Sequence, residues 1–326
     1  MWEFLRRRRE VTLVVVIAIL MAVITLRAND FLNPKNLYDI LNDTTILMIV
    51  AAGQLMVILT AGIDLSVAST MGFTGMAVAL LNHAHPGIPL AVLILIGLAI
   101  GLGLGAFNGL LVSVFKIPPI ITTLGTLNIY RGFIVVISGG AWVSADEMTA
   151  PFRDFPREHI LGTTTILFTA IVVLVLVGLF LRYTRTGREI YGVGGNSLAA
   201  QFVGISLPKI NFFVYAASGV FAAMGGLLWV MRYASAQNDT AMGFELETIA
   251  ACVLGGVSIA GGSGTLVGVI FGAAFLGIVK NALTMVRISP FWQTAIQGFV
   301  ILLAIVINSI SDARNAKRLA QRRSVA

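Results

Sequence analysis

The stretch from Arg182 to Lys209, RYTRTGREIYGVGGNSLAAQFVGISLPK, is the longest interruption of apolar sequence that carries mostly positive charge, and it separates two long hydrophobic segments. Within it Asn196 stands as an N-cap, Ser197 to Val203 has room for about two helical turns, and Gly204 supplies the stop. Leu198 and Phe202, four apart, share one face of that short helix. Gly187, Gly192, Gly194 and Gly195 precede it, so the chain is expected to turn sharply out of one membrane helix and lay a small helix flat against the bilayer edge. Such a helix is either a knob for a socket on a partner or a solvated connector between two spans.

The segments on either side decide between a soluble and a membrane protein. Of 326 residues, 57% are hydrophobic and only 11% are charged, against about 25% charged in an ordinary soluble domain. The apolar runs are too many and too long for a single anchor, and 34 glycines suit helices packed closely through small residues. The fold class is therefore all-α: a polytopic integral membrane protein. The hydrophobic run after Arg6-Arg7-Arg8-Arg9 is followed by no clear small-residue cleavage site, so it is expected as a retained first span. A net charge of +7 would suggest nucleic acid in a soluble protein; here loops obeying the positive-inside rule explain it, and no nucleic-acid partner is expected. Cys252, the one cysteine, excludes an intrachain disulfide and makes thiolate metal ligation implausible.

A bilayer core of about 30 Å takes about 20 helical residues, and that ruler places ten spans: Val11–Leu26, Thr44–Leu59, Ser66–Leu81, Leu90–Phe115, Ile120–Ile137, Thr164–Leu181, Ile210–Met231, Leu246–Ile259, Thr265–Val286 and Trp292–Ile310. Fourteen of the 22 Lys and Arg residues then fall on the side of the Arg182 loop and six on the other, so both termini are expected to be cytoplasmic. The span Leu246–Ile259 is short and runs into Ala260-Gly261-Gly262-Ser263-Gly264, which reads as a discontinuous helix or a re-entrant hairpin lining a cavity. Gly62-Ile-Asp-Leu-Ser-Val-Ala-Ser faintly echoes Gly256-Val-Ser-Ile-Ala-Gly-Gly-Ser, a weak hint of duplicated halves.

Several constellations invite a functional reading. Asp64 would be expensive facing lipid, so it either caps the third span through the amides of Ser66 or Val67, or serves as a gate or ion-binding carboxylate. Gly62, Ser66, Gly261 and Gly262 share this structural-or-gate reading. On the fifth span Gly125, Asn128 and Gly132 recur at helical spacing, with Thr122 and Thr126 on the adjoining arc. The small, polar stripe they form is either helix–helix glue or the lining of a translocation path. Arg131 projects from roughly the opposite side, toward an outer polar layer. His83 and His85 lack a third ligand and read as a solvated turn, so no metal site is expected. No nucleophile elbow, HExxH or phosphate loop is present, and the glycine run at Gly261 lacks the following lysine, so any ATP hydrolysis must come from another subunit. Few ionisable residues fall near span interiors, mainly Asp64 and Lys280. That scarcity disfavours the alternative of a secondary transporter or channel.

Four stretches, in the right order, resemble one family: Ala61-Gly-Ile-Asp-Leu-Ser-Val-Ala-Ser; Ile121-Thr-Thr-Leu-Gly-Thr with Tyr130-Arg-Gly; Gly195-Asn-Ser-Leu-Ala-Ala with Gly204-Ile; and Gly243-Phe-Glu-Leu-Glu-Thr-Ile-Ala-Ala, continuing to Gly255-Gly and Gly261-Gly-Ser-Gly-Thr. The chain from about Asn36 to Asn308 is similar to the sugar-type permeases of bacterial ABC importers, a group that includes ribose, xylose, rhamnose and autoinducer-2 permeases. Ala68 stands where that family usually has glycine. The resemblance implies one permease domain over residues 1–326, with a basic cytoplasmic N-terminus (1–10), a cytoplasmic coupling loop (182–209) and a basic cytoplasmic tail (311–326). It implies a second permease copy, a cytoplasmic ABC ATPase that binds ATP and Mg, and a periplasmic sugar-binding protein, at the inner membrane, with no cofactor on this chain. The coupling loop would work through Gly195, Asn196, Ala199, Ala200 and Gly204.

Overall fold

The computed structural model describes residues 9–289 and, past them, Trp292, Gln293, Ala295, Ile296, Gly298, Phe299, Leu302 and Val306. The basic segment before residue 9, the tail 311–326 and most of the expected span Trp292–Ile310 lie outside the described residues.

The described chain is helical almost throughout. In order, the helices are α1 (Arg9–Thr25), α2 (Pro34–Leu59), α3 (Val67–Ala84), α4 (Leu90–Ser113), α5 (Pro119–Ser138), α6 (Ala150–Asp154), α7 (Thr165–Tyr183), α8 (Arg185–Gly195), α9 (Ser197–Phe202), α10 (Leu207–Tyr233), α11 (Phe244–Leu254) and α12 (Leu266–Met285). A two-residue antiparallel hairpin, β1 (His159–Ile160) with β2 (Thr163–Thr164), closes the long connection before α7. Among the described residues, six helices are long and apolar enough to cross a bilayer: α2, α4, α5, α7, α10 and α12.

The pillar of the bundle is α2, buried at every residue from Thr44 to Leu59. It begins at Pro34, ten residues before the expected Thr44. The Asn33 side chain accepts from the Lys35 amide at 3.0 Å and Pro34 takes the first helical position, which starts a helix well before its sequence turns apolar. Against this pillar α10 crosses α4 at close range. Gly97, Gly101, Gly105 and Gly109 recur every fourth residue of α4, and a Cβ at Gly101 or Gly105 would overlap the backbone of α10 at Gly219 or Tyr215. Small residues at this spacing let two membrane helices approach backbone to backbone.

Two helices begin between their neighbours rather than at the end of the bundle. Val67, Ala68, Ser69 and Thr70 at the start of α3 are all buried, and so are Phe244 and Thr248 at the start of α11. At 11 residues and 1.5 Å per residue, α11 is about 16 Å long, roughly half a bilayer core. Gly62-Ile-Asp-Leu leads into α3, and Gly243-Phe-Glu-Leu forms the N-cap and first turn of α11. This is a closer echo than the expected one with Gly256, which instead lies in the loop after α11. Both are glycine, apolar residue, acid, leucine, as befits a chain that must turn and start a helix inside a packed bundle.

Candidate functional site

The Asp64 junction is built by the turn between α2 and α3. Asp64 is 2% exposed. Its Oδ1 accepts from the Ser66 amide at 2.9 Å and the Ser66 hydroxyl at 2.7 Å, and its Oδ2 accepts from the hydroxyl of Ser218, near the middle of α10, at 2.9 Å. Asn108 of α4 donates to the Ser66 hydroxyl at 2.8 Å. The Gln54 carboxamide brackets the Asp64 peptide group at 3.2 Å on each side, in the amide orientation that satisfies both bonds. The α2–α3 turn and α10 thus supply donors to both carboxylate oxygens, with α4 bracing Ser66 behind them, which is how a buried carboxylate is accommodated without a counter-charge. Gly62 belongs to the same turn: a Cβ there would stand 2.6 Å from the Tyr215 hydroxyl.

On α5 the five residues expected to form one stripe divide between two faces. Thr122 and Thr126 are buried inside the bundle, with the Thr126 hydroxyl donating to the Thr122 carbonyl at 3.2 Å. Gly125, Asn128 and Gly132 lie on the exposed arc, and neither glycine has an atom within 4 Å of an added Cβ. Arg131 donates to the Thr240 carbonyl at 2.7 Å, tying α5 to the segment that enters α11. His83 meets Glu147 rather than His85, its Nδ1 lying 3.2 Å from the Glu147 carbonyl oxygen.

The Arg182 loop is two helices. The glycines expected to turn the chain sit inside α8, where two of them, Gly187 and Gly194, permit close contact instead. Thr184 caps α8 by accepting from Gly187 at 3.0 Å, and Cβ atoms at Gly187 and Gly194 would overlap the carbonyls of Phe180 and Leu59. The second helix, α9, follows the expected boundaries closely. Asn196 Oδ1 accepts from the Ala199 amide at 3.0 Å and Gly204, at φ +83°, ends the turn. Leu198 and Phe202 are 68% and 91% exposed, with Val203 beside them, whereas Ala200 is 4% exposed and packs into the bundle core. Ala199 is exposed.

At the foot of the bundle three segments meet. The Gly262 amide donates to the Leu59 carbonyl at 2.9 Å. Cβ atoms on Gly262, Gly261 and Gly194 would run into Gly195, Ala61 and Leu59 respectively. Tyr191 of α8 donates to the Gly264 carbonyl at 3.0 Å, and burial raises its phenol above the ordinary value. The loop carrying α9, the loop after α11 and the turn leading to Asp64 are therefore locked together through backbone. The repeated glycines of α4 and the packing role of Gly194 went unread in the sequence; the four-residue glycine period of α4 was the available signal.

The chain matches the family described as "Branched-chain amino acid transport system / permease component" over residues 36–305. It is 34% identical over 307 residues to the autoinducer 2 import system permease protein LsrC of Yersinia enterocolitica, an alignment covering 94% of this chain and 84% of that protein. The same-named proteins of Salmonella typhi and Escherichia coli K12 are 34% and 32% identical, each across 94% of this chain and 88% or 89% of the relative. No solved structure matches the chain.

Proposed function

Because the chain belongs to the branched-chain amino acid transport system / permease component family, we propose that it is the membrane-spanning subunit of an ATP-driven importer of a small sugar-like solute in the bacterial inner membrane. Its relatives at 32–34% identity are named for autoinducer 2 import, which favours a polyhydroxylated cargo over the amino acids in the family's description. In this reading the chain crosses the bilayer ten times with both termini in the cytoplasm, and the foot of the bundle faces the cytoplasm. A second permease copy packs beside it, an ABC ATPase carrying ATP and Mg docks below, and a binding protein delivers the solute from above. The exposed arc of Gly125, Asn128 and Gly132 faces the path shared with the second copy, while Thr122 and Thr126 hold α5 to the bundle.

The observation that carries this reading is the exposed apolar knob on α9. Leu198, Phe202 and Val203 stand in the open on a capped helix whose root, Gly194, is wedged against α2. Apolar residues on a rigid base are suited to a socket on a partner. A push on that knob reaches Leu59 and the Asp64 turn through backbone contacts, the kind of rigid linkage coupling needs. The test is co-purification: affinity-tagged permease should retain its cognate ATPase subunit through detergent extraction, and failure to retain it while the permease stays monodisperse would count against the assignment.

A further inference from the structure

Between α2, α10, α11 and α12, near the end of the bundle opposite the α9 knob, a recess of about 170 Å³ is lined by Trp229, Phe244, Glu247, Lys280, Asn281 and Thr284, among others. It shares Trp229, Tyr233, Phe244, Glu247 and Lys280 with a wider mouth of about 520 Å³ that opens along the segment leading into α11, past Gln237 and Thr240. Glu247 and Lys280 face the same space, and among the described residues neither side chain is held in an ion pair or hydrogen bond. Glu247 is half-buried and Lys280 exposed, and ionisable side chains that line a cavity of a membrane bundle mark a place for a polar occupant. The α5 arc plays no part in this space.

Resting on the importer reading above, we infer that this recess, inside a single subunit, is a binding site for a neutral polyhydroxylated solute entering from the outer side. The chemistry of the walls selects the class. Trp229 is braced by Tyr233, inclined at 54° with ring centres 5.0 Å apart, and by Phe244, edge-on at 5.4 Å, so the indole is held as one flat apolar surface suited to the C–H face of a sugar ring. Glu247 accepts from solute hydroxyls while Lys280 donates to them; the Thr284 hydroxyl, which donates to the Lys280 carbonyl at 2.9 Å, can accept, and the amide of Gln237 can do either. Flat apolar contact with a few convergent polar groups is the general form of a small-molecule site. Asp43 is already ion-paired with Arg232, and Glu247 and Lys280 offset each other in the recess, while Asp239 at the mouth adds one carboxylate that accepts from hydroxyls and repels an anion. A zwitterionic amino acid could also bridge Glu247 and Lys280, but its branched side chain would gain little from a flat shelf.

The native chain suits thiol probing, because its single cysteine, Cys252, is buried. Thr284→Cys places a thiol in the recess, and Ser197→Cys places one on exposed α9 as a control. Full-length protein in lipid nanodiscs is treated with a small methanethiosulfonate reagent with and without D-ribose, D-xylose, L-rhamnose or L-leucine. Modification at position 284 should be slowed by at least one monosaccharide, by the factor 1 + [L]/Kd, about tenfold at a ninefold excess over Kd. Position 197 should be unaffected, and L-leucine should not protect. Adding Glu247→Gln or Trp229→Ala should abolish protection while the thiol stays reactive. An unreactive thiol, equal rates with every sugar, or protection by L-leucine alone would overturn the inference. ATP-driven uptake of the same sugars by the complete transporter is scored separately: uptake without protection sinks the site and leaves the importer standing, whereas the absence of both sinks the importer reading.

Discussion

The backbone amide of Gly262 donates to the carbonyl of Leu59 at 2.9 Å, and the Cα of Gly194 sits against that same carbonyl. The Leu59 carbonyl is one of the last four of α2, which no intrahelical donor reaches. Here that open acceptor is used to join two distant loops, and only glycine allows both to come so near.

Gly194→Ala is therefore expected to displace α8 and α9 from the bundle. Overpacking at a close backbone contact costs about 1–3 kcal/mol, so the spans should still insert. Membrane abundance should stay near wild type while ATPase co-purification and solute uptake fall together; unchanged uptake would mean the lock is not used in coupling.

Substitutions on α9 should divide by exposure. Phe202→Glu and Ala199→Glu alter exposed positions and should leave thermal stability within about 0.5 kcal/mol, yet weaken ATPase retention because each places a charge in the apolar socket. Ala200→Glu is a different case. Ala200 is packed into the core, so its loss of function would come with lost protein. Equal abundance, retention and uptake for all three would make this loop a passive connector.

Asp64 distinguishes a structural cap from a transport carboxylate. Asn at this position keeps an Oδ1 for Ser66 and offers an amide to the Ser218 hydroxyl, which can accept as well as donate. As a cap, Asp64→Asn should cost about 1 kcal/mol and retain most uptake, whereas Asp64→Ala strands buried donors and should cost about 3 kcal/mol or more. Size-exclusion profiles after graded heating, with uptake assays alongside, separate the cases. A stable, abundant Asp64→Asn protein that transports nothing would identify Asp64 as a gate.

At the α4–α10 crossing, Gly105→Leu should be among the most damaging single changes. Its side chain would enter backbone at Tyr215 and Gly219, leaving no rotamer to escape into. Gly103→Leu, one turn-face away with no atom near its Cβ, should be close to neutral in heat-stability measurements. Similar losses for both would show that the glycine face does not set the helix approach.

Most helices were legible because apolar length is a strong signal in a membrane chain. The departures have physical causes. The first turns of α2, PKNLYDILND, are polar, so a hydropathy ruler started the helix late although Asn33-Pro34 announced it. The glycines of α8 suggest freedom to turn, whereas Gly187 serves close approach to the end of α7 and Gly194 to α2, a tertiary fact. The likeness of Gly243-Phe-Glu-Leu to Gly62-Ile-Asp-Leu is one of residue class, not identity, and stands out only once both are seen at helix starts. Of the site, the Asp64–Ser66 cap and the Asn196–Gly204 helix could be read locally. Ser218 as a partner of Asp64, and the meeting of Glu247 with Lys280, join residues far apart in sequence and needed the fold.

The central claim is that this chain conducts a solute only when driven by a partner's ATP hydrolysis. The measurement is uptake of radiolabelled monosaccharide into proteoliposomes containing the permease alone, the permease with its ATPase, and both with the binding protein. The account predicts no ATP hydrolysis and no accumulation by the permease alone, and ATP-dependent accumulation only in the complete set. Accumulation by the permease alone under a proton or sodium gradient would contradict it.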